Sequence, residues 1–142
     1  MRARAEDVPR LAELFGIVWP EHSAEELTQS VGEDVGSDNA AVFYECVDGL
    51  PVGAALCALR RDYVEGCGTS PVGYLEGVAV REAFRDRGIA RSLVAECEQW
   101  AREKGCTEFA SDCELTNTAS LRFHLAVGFS EENRTICFKK ML

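Results

Sequence analysis

VGYLEGVAVREAFRDRGIAR, residues 72–91, contains an apolar run, a short basic loop and the start of a helical pattern in direct succession. The run Val72–Val80, interrupted by Glu76 and Gly77, predicts a buried strand. The amphipathic pattern that starts near Gly88 predicts a helix. The loop between them combines arginines with the free N–H groups of a helix N-terminus. Both features favour binding of a pyrophosphate.

Length and composition predict a single domain, residues 1–142, with 46% hydrophobic and 27% charged residues. No apolar stretch approaches the ~20 residues of a membrane span. The opening Met1–Arg4 leads into a helix rather than a secretory apolar core, so we expect a cytoplasmic protein without a membrane partner. A formal charge of −9 argues against nucleic acid. It is compatible with a cationic substrate, although ordinary acidic solubility explains it equally well.

Seven cysteines are scattered through the chain, at positions 46, 57, 67, 97, 106, 113 and 137, and none forms a C-x-x-C pair. This pattern predicts reduced thiols, most of which act as small core residues. A nucleophilic cysteine would need a histidine base, and only His22 and His124 are present. We therefore expect neither a catalytic cysteine nor a metal site.

Hydrophobic periodicity and turn signals divide the chain into helices and strands. Helices are predicted from Val8 to a stop at Pro20, over 23–35, from Gly88 to Gly105 and over 117–127. Strands are predicted at 2–5, Ala40–Val47, Val52–Leu59, Val72–Val80, Thr107–Ser111 and Thr135–Met141. The segment Arg60–Pro71 has no periodicity, and loops of this length tend to be functional or mobile.

The basic loop resembles the acetyl-coenzyme A loop of the GNAT superfamily of N-acetyltransferases. Its pattern, Arg/Gln-x-x-Gly-x-Gly/Ala, is matched from Arg85 through Gly88 to Ala90. The resemblance implies an α/β (mixed α+β) GNAT fold, with helices flanking a mixed, mostly antiparallel sheet that splays open beside the central strand. Acetyl-CoA is the implied cosubstrate. The contacts that it implies are Val78, Ala79, Val80, Asp86, Arg87, Gly88, Ile89, Ala90, Arg91 and Asn117.

A narrower resemblance is to the aminoglycoside 6′-N-acetyltransferases of the GNAT type. It is carried by Trp19-Pro-x-His22, Asp62-Tyr63-Val64-x-Gly66-Cys67, Leu75-Glu76-Gly77, Ala110-Ser111-Asp112 and Gly128-Phe129. It implies that Trp19, His22, Tyr63, Glu76 and Asp112 bind the antibiotic. Where relatives have a further acidic contact, this chain has Asn133. The resemblance also implies a homodimer, in which Tyr63 could complete the cleft of a neighbour.

The chemistry of an aminoglycoside fits two of these residues independently. Such a molecule carries several ammonium groups and little apolar surface, so its cleft needs carboxylates. Glu76 interrupts a buried strand, and Asp112 follows the neighbouring strand. The alternative for Glu76 is a buried carboxylate paired with a basic residue, and for Asp112 a loop or helix cap.

The predicted reaction is direct acetyl transfer to a primary amine, which must first lose a proton. Glu76 is the candidate base, unless solvent deprotonates the amine, and Asp112 orients it. A backbone N–H at a bulge near 77–79 is the candidate oxyanion donor. His124, where relatives have tyrosine, either protonates the leaving thiolate or is a packed side chain. The acceptor could instead be a polyamine, an amino sugar or a peptide N-terminus, and a third possibility is a catalytically silent acyl-CoA binder.

Overall fold

A computed structural model describes all residues from 1 to 142. Its α-helices are α1 (Val8–Phe15), α2 (Ala24–Gly36), α3 (Ile89–Glu103) and α4 (Thr118–Ala126). Its strands are β1 (Ala40–Val47), β2 (Leu50–Arg60), β3 (Val72–Val80) and β4 (Phe109–Ser111). The strands form one sheet in the order β1-β2-β3-β4. The first three are antiparallel and β4 is parallel to β3, so the predicted mixed, mostly antiparallel sheet is confirmed.

The sheet separates two apolar clusters. On one face, α3 buries Leu93, Cys97 and Trp100 against β2 and β3, which confirms the stripe predicted for this helix. On the other face, α1 and α2 bury Leu11 and Val31 against β1 and β2. None of the helices combines the length and hydropathy that a membrane crossing requires.

A β-bulge at Glu76 changes the side-chain alternation of the central strand. Leu56 of β2 pairs with Gly77, and the next residue, Cys57, pairs with Leu75, so Glu76 is the extra residue. Leu75 and Val78 can therefore both pack on the α3 side. The bulge was predicted near 77–79, and it lies just before that range.

Three predicted elements need correction. The first helix ends at Phe15 instead of Pro20, and hydrogen-bonded turns continue it as far as Trp19. Residues 2–5 form only an isolated bridge, from Arg2 to Phe43. The final strand, Thr135–Met141, is wrong for the single chain, because these residues pair with no strand. A β-pattern forms a strand only where a neighbouring edge accepts its hydrogen bonds, and this segment is paired with no edge of the sheet.

Asp7 connects the start of α1 to β1 by hydrogen bonds, and its carboxylate should make the free energy of unfolding depend on pH in the acid range. Its buried carboxylate accepts hydrogen bonds from the Arg4 N–H at 2.9 Å, from Arg10 and from the Tyr44 hydroxyl. The Arg4 N–H is the largest cause that holds the pKa of Asp7 below its ordinary value. The charged form is therefore favoured in the folded state, and its stabilisation is lost as pH falls through the lowered pKa.

We expect Asp7→Asn to lower the free energy of unfolding at pH 7 by about 1–3 kcal/mol, because buried partners lose an ionised acceptor. The difference from wild type should shrink below about pH 4, where the unfolded carboxyl also binds a proton. Urea unfolding at both pH values measures this. Asp38→Asn, at an exposed position, is the control. If the difference in free energy of unfolding between wild type and Asp7→Asn were the same at both pH values, Asp7 would not be the source of the acid sensitivity.

Candidate active site

A cleft of about 570 Å³ lies between α2 and the β2–β3 surface. Trp19, His22, Asp34 and Glu76 are among its lining residues, so the structure brings three of the predicted substrate residues together. A wider depression of about 1040 Å³ lies between residues 1–8 and α2, and it contains none of the predicted site residues. The cleft is therefore the candidate substrate site.

Trp19 is held in the cleft by packing on both sides. Its ring stacks on Phe15 at 5.3 Å between centroids. Its Cζ2 lies against Gly77, where a Cβ would come within 2.8 Å, so this close approach requires glycine. His22 is exposed and its Nδ1 lies 3.4 Å from Glu26, the residue that closes the capping box of α2. The loop between α1 and α2 thus presents an aromatic ring and an imidazole to the cleft.

Glu76 faces the cleft while it is paired with Arg60 of β2. The guanidinium donates to Oε1 at 3.2 and 3.0 Å and to Oε2 at 2.9 Å. The predicted alternative of a paired carboxylate is thus observed, but the side chain keeps 26% exposure. A carboxylate has about four lone-pair sites, so Oε2, with one bond from Arg60, can accept another from a substrate amine.

Asp112 joins the same network through Tyr74. The Tyr74 hydroxyl donates to Asp112, and the guanidinium of Arg60 lies 3.5 Å from the centroid of the Tyr74 ring. Burial, and then the Asp112 hydrogen bond, raise the pKa of Tyr74, so this hydroxyl keeps its proton. Asp112 does not cap α4, since Asn117 does so by accepting from Ser120 N–H at 3.1 Å. The two predicted carboxylates, Glu76 and Asp112, are therefore linked by one cation and one phenol.

His124 lies between α4 and β4 with both ring nitrogens engaged. Nδ1 is 2.7 Å from the Ser120 carbonyl, which can only accept, so this nitrogen carries a proton. Nε2 lies 2.8 Å from the Ser111 hydroxyl, which donates its own proton to the Leu75 carbonyl at 3.0 Å. The ring also packs on Phe129, with centroids 5.2 Å apart. Only the protonated ring carries a proton on Nε2, and that proton would leave by way of the Ser111 oxygen.

The loop before α3 exposes a row of backbone donors. Gly88 has φ of 81° and Asp86 has φ of 60°, so the chain turns sharply into the helix. The N–H groups of residues 87–91 find no acceptor within the chain. Next to this loop, β4 pairs with β3 only as far as Leu75, so Val78–Val80 present one edge without a strand. This gap is the splay predicted beside the central strand.

Asp112 is not among the residues that line the cleft, and two further predicted features also lie outside the cleft of this chain. Tyr63 is 78% exposed, and its hydroxyl donates to Glu65 at 3.3 Å. Asn133 also donates to Glu65, at 2.7 Å, and so holds the start of the C-terminal segment against the same loop. No group of three or more His, Cys, Asp or Glu side chains has an arrangement that could hold a metal ion.

The sequence reasoning missed four residues that the structure places around the cleft and its network. Arg60 and Tyr74 connect the two predicted carboxylates, and Ser111 contacts His124. Asp34 lines the cleft from α2. Two signals could have found some of them: Tyr74 precedes Glu76 by two residues on one strand, and Asp34 follows Glu26 at helical spacing.

Comparisons with known proteins agree with this geometry. The model of the acetyltransferase (GNAT) family matches residues 8–129. Aminoglycoside N(6′)-acetyltransferase type 1 of Salmonella typhimurium is 41% identical, over 87% of this chain and 85% of its own. The protein of that name from Stenotrophomonas maltophilia is 39% identical, over 99% and 92%.

A solved structure gives the same result for the fold. It is that of AAC(6′)-Iy in complex with the bisubstrate analogue CoA-S-monomethyl-acetylneamine. It superposes with a TM-score of 0.94 at 36% identity, over 100% of this chain and 97% of the other. The fold of this chain is therefore that of the solved protein along its whole length.

Proposed function

The chain belongs to the acetyltransferase (GNAT) family, and from this premise we propose that it transfers acetyl directly from acetyl-CoA to the 6′-amino group of aminoglycoside antibiotics, a modification that confers resistance. One observation carries the proposal. Strand β3 points Glu76 into an acidic, aromatic cleft and then runs directly into the loop whose N–H groups are free. An amine site and a phosphate site are thus joined by one strand.

A thiol-release assay tests the acceptor. The protein is incubated with acetyl-CoA and, in turn, with kanamycin, tobramycin, spermidine and a short peptide. We expect release of coenzyme A thiol with the two antibiotics. Faster turnover of spermidine or the peptide would show that the preferred acceptor is not an aminoglycoside, while the proposal of acetyl transfer to an amine would stand. Binding of acetyl-CoA with no thiol release for any amine would identify a silent binder.

The free donors support the proposed placement of acetyl-CoA. Its pyrophosphate would accept from the N–H groups of residues 87–91, with charge supplied by Arg87 and Arg91. The pantetheine arm would pair with the open edge at Val78, Ala79 and Val80. The remaining proposed contacts are Asp86, Gly88, Ile89, Ala90 and Asn117.

The proposed antibiotic contacts are Trp19, His22, Tyr63, Glu76 and Asp112. A protonated amine would enter between Glu76 and Asp112, whose linking network holds two carboxylates and one guanidinium. Trp19 lines the cleft and would contact a sugar ring with the part of its indole that stays exposed. Tyr63, exposed on its loop, would reach the cleft of a second chain.

In the proposed reaction the amine nitrogen bonds to the thioester carbon and the carbon–sulfur bond breaks, with two proton transfers and one hydrogen bond to the oxyanion. Glu76 Oε2 accepts the proton of the ammonium group, directly or through water, while Asp112 orients the amine. A backbone N–H at the Glu76 bulge donates to the oxyanion, because a bulge leaves a strand residue unpaired. The doubly protonated His124 ring then gives its Nε2 proton to the Ser111 oxygen, while the Ser111 hydroxyl gives its own proton to the thiolate.

We also propose that the protein is a cytoplasmic homodimer. All seven cysteines are free, which is typical of a reducing compartment. Ile136 and Phe138 are 80% and 91% exposed in a C-terminal segment that belongs to no helix or strand, and β4 has a strand on one side only. Exposed apolar strands and free sheet edges tend to pair with another chain, and here we assign that role to a second copy.

The dimer proposal predicts a molecular mass in solution of twice 15.6 kDa. Phe138→Ser should shift the population to monomers, because it removes apolar surface from the proposed contact. Leu115→Ser is the matched control, since Leu115 is 72% exposed and lies outside the segment. Size-exclusion chromatography with light scattering measures the mass. A monomeric wild type at micromolar concentration would contradict the proposal.

A further inference from the structure

Asp34 lies on the α2 wall of the cleft, across from the strands that carry Glu76. Glu26, Ser30 and Asp34 all line this wall and are spaced by four residues. Residues at that spacing lie on one face of a helix, so they form a polar row along the cleft. The row faces a surface made of Leu56, Ala58 and Glu76, so Asp34 and Glu76 are carboxylates of opposite walls.

Asp34 differs from the other two carboxylates of the cleft in having no partner in the chain. Glu26 accepts from the Ser23 N–H at 2.9 Å, and Glu76 accepts from Arg60. Asp34 receives neither a hydrogen bond nor an ion pair: burial, and then the negative charges of Glu76 and Glu33, raise its pKa. Folding thus leaves a half-buried carboxylate without a cation.

We infer that Asp34 binds a second ammonium group of the acceptor while the reacting amine lies at Glu76. The inference rests on the proposed function, which supplies an acceptor with several ammonium groups. A cleft of about 570 Å³ is large enough for a multi-ring molecule that spans both walls. A cation at Asp34 supplies the missing partner and offsets the repulsion from Glu76.

This role has a kinetic signature. The contact at Asp34 lies away from the reacting amine, so it is made equally in the ground state and in the transition state. Loss of such a uniform contact raises KM and leaves kcat unchanged. A structural role predicts something different, namely loss of stability. Asp34 instead lacks any partner whose removal would destabilise the fold.

The experiment compares Asp34→Asn with Glu33→Gln, its exposed neighbour on α2. Both variants remove one negative charge, so the control accounts for long-range electrostatics. We expect Asp34→Asn to raise KM for tobramycin, and its calorimetric dissociation constant, by roughly tenfold, as for loss of a charged hydrogen bond. The expected change in kcat is under about twofold. The effect should shrink at high salt, and the melting temperature should not fall.

The inference would be overturned if wild type and Asp34→Asn bound tobramycin with equal affinity. It would also be overturned if Glu33→Gln lost as much tobramycin affinity as Asp34→Asn. A lower melting temperature in Asp34→Asn with an unchanged dissociation constant would assign a structural role instead. The calorimetric arm needs no turnover. If the wild type binds tobramycin without releasing thiol, acetyl transfer fails but the affinity difference still supports Asp34. If the wild type does not bind tobramycin at all, the proposed function and the role of Asp34 are both overturned.

Discussion

Glu76→Gln is expected to lower kcat by at least about 100-fold, the scale of a lost general base, while the dissociation constant of coenzyme A stays unchanged. The amide has nearly the shape of the carboxylate and still offers one oxygen to Arg60, but it cannot take a proton from the amine. Arg60 is 43% exposed, so water can solvate the guanidinium in the variant and the fold should persist. Steady-state kinetics and calorimetry measure the two effects.

Glu45→Gln is the matched control for this change. Glu45 is also a half-buried strand carboxylate, and it pairs with Gly53 instead of lining the cleft. The Glu45→Gln variant should therefore have the kcat of the wild type. If Glu76→Gln keeps the wild-type turnover and its pH profile, then solvent deprotonates the amine and Glu76 is at most a binding residue.

The same kinetic series distinguishes His124 from Glu76. Loss of an acid that protonates the thiolate should lower kcat and alter the alkaline side of the pH profile, whereas loss of a base alters the acidic side. His124→Phe keeps an aromatic ring to pack against Phe129 but removes both nitrogens. A loss of only a few-fold, with an unchanged profile, would leave His124 as a packing residue between α4 and β4.

Gly88→Ala is expected to weaken coenzyme A binding by about tenfold or more. A residue with a Cβ is disfavoured in the left-handed region by roughly 1–2 kcal/mol, and this strain lowers the stability of the fold. The affinity falls because the ligand loses contacts, and about 1.4 kcal/mol of lost binding free energy corresponds to a tenfold change. At Gly88, φ is 81° and a Cβ would meet only open space. In our proposal this space is filled by the pyrophosphate, so the new methyl group would also obstruct the ligand.

Gly105→Ala separates strain from ligand contact. Gly105 follows the same helix at its other end, has φ of 87° and also has open space around a Cβ. Both variants should lose a similar amount of stability, and only Gly88→Ala should lose affinity for coenzyme A. Thermal melts and calorimetry provide the two measurements. Equal affinity in both variants would contradict the assignment of the loop before α3 to the pyrophosphate.

The phosphate loop could be predicted from sequence because its parts are adjacent in the chain. A strand, a turn that needs glycine and the first turn of a helix follow one another within residues 72–91, and the free N–H groups come from the helix itself. The stripe of α3 was predictable for the same reason, since helical periodicity is local. The end of α1 was predicted less accurately. The helix ends at Phe15 and not at Pro20, although hydrogen-bonded turns continue to Trp19.

Hydrogen bonds between distant residues were not predictable in the same way. Arg60 and Glu76 are 16 residues apart, and Tyr74 and Asp112 are 38 apart. Their contacts depend on the register between β2 and β3 and on the parallel pairing of β4. A sequence pattern predicts that a strand exists, but it does not determine which side chains meet across it.

The sequence by itself determined the family, the order of most elements and the residues of the phosphate loop, because local spacing encodes them. Only the tertiary structure decided that Glu76 is paired with Arg60, that Asp34 lines the opposite wall without a partner, and that the segment 135–141 lacks a strand to join. These outcomes depend on which groups fold against one another. Burial, charge and hydrogen-bond pairing are properties of that arrangement, and no single stretch of the chain contains them.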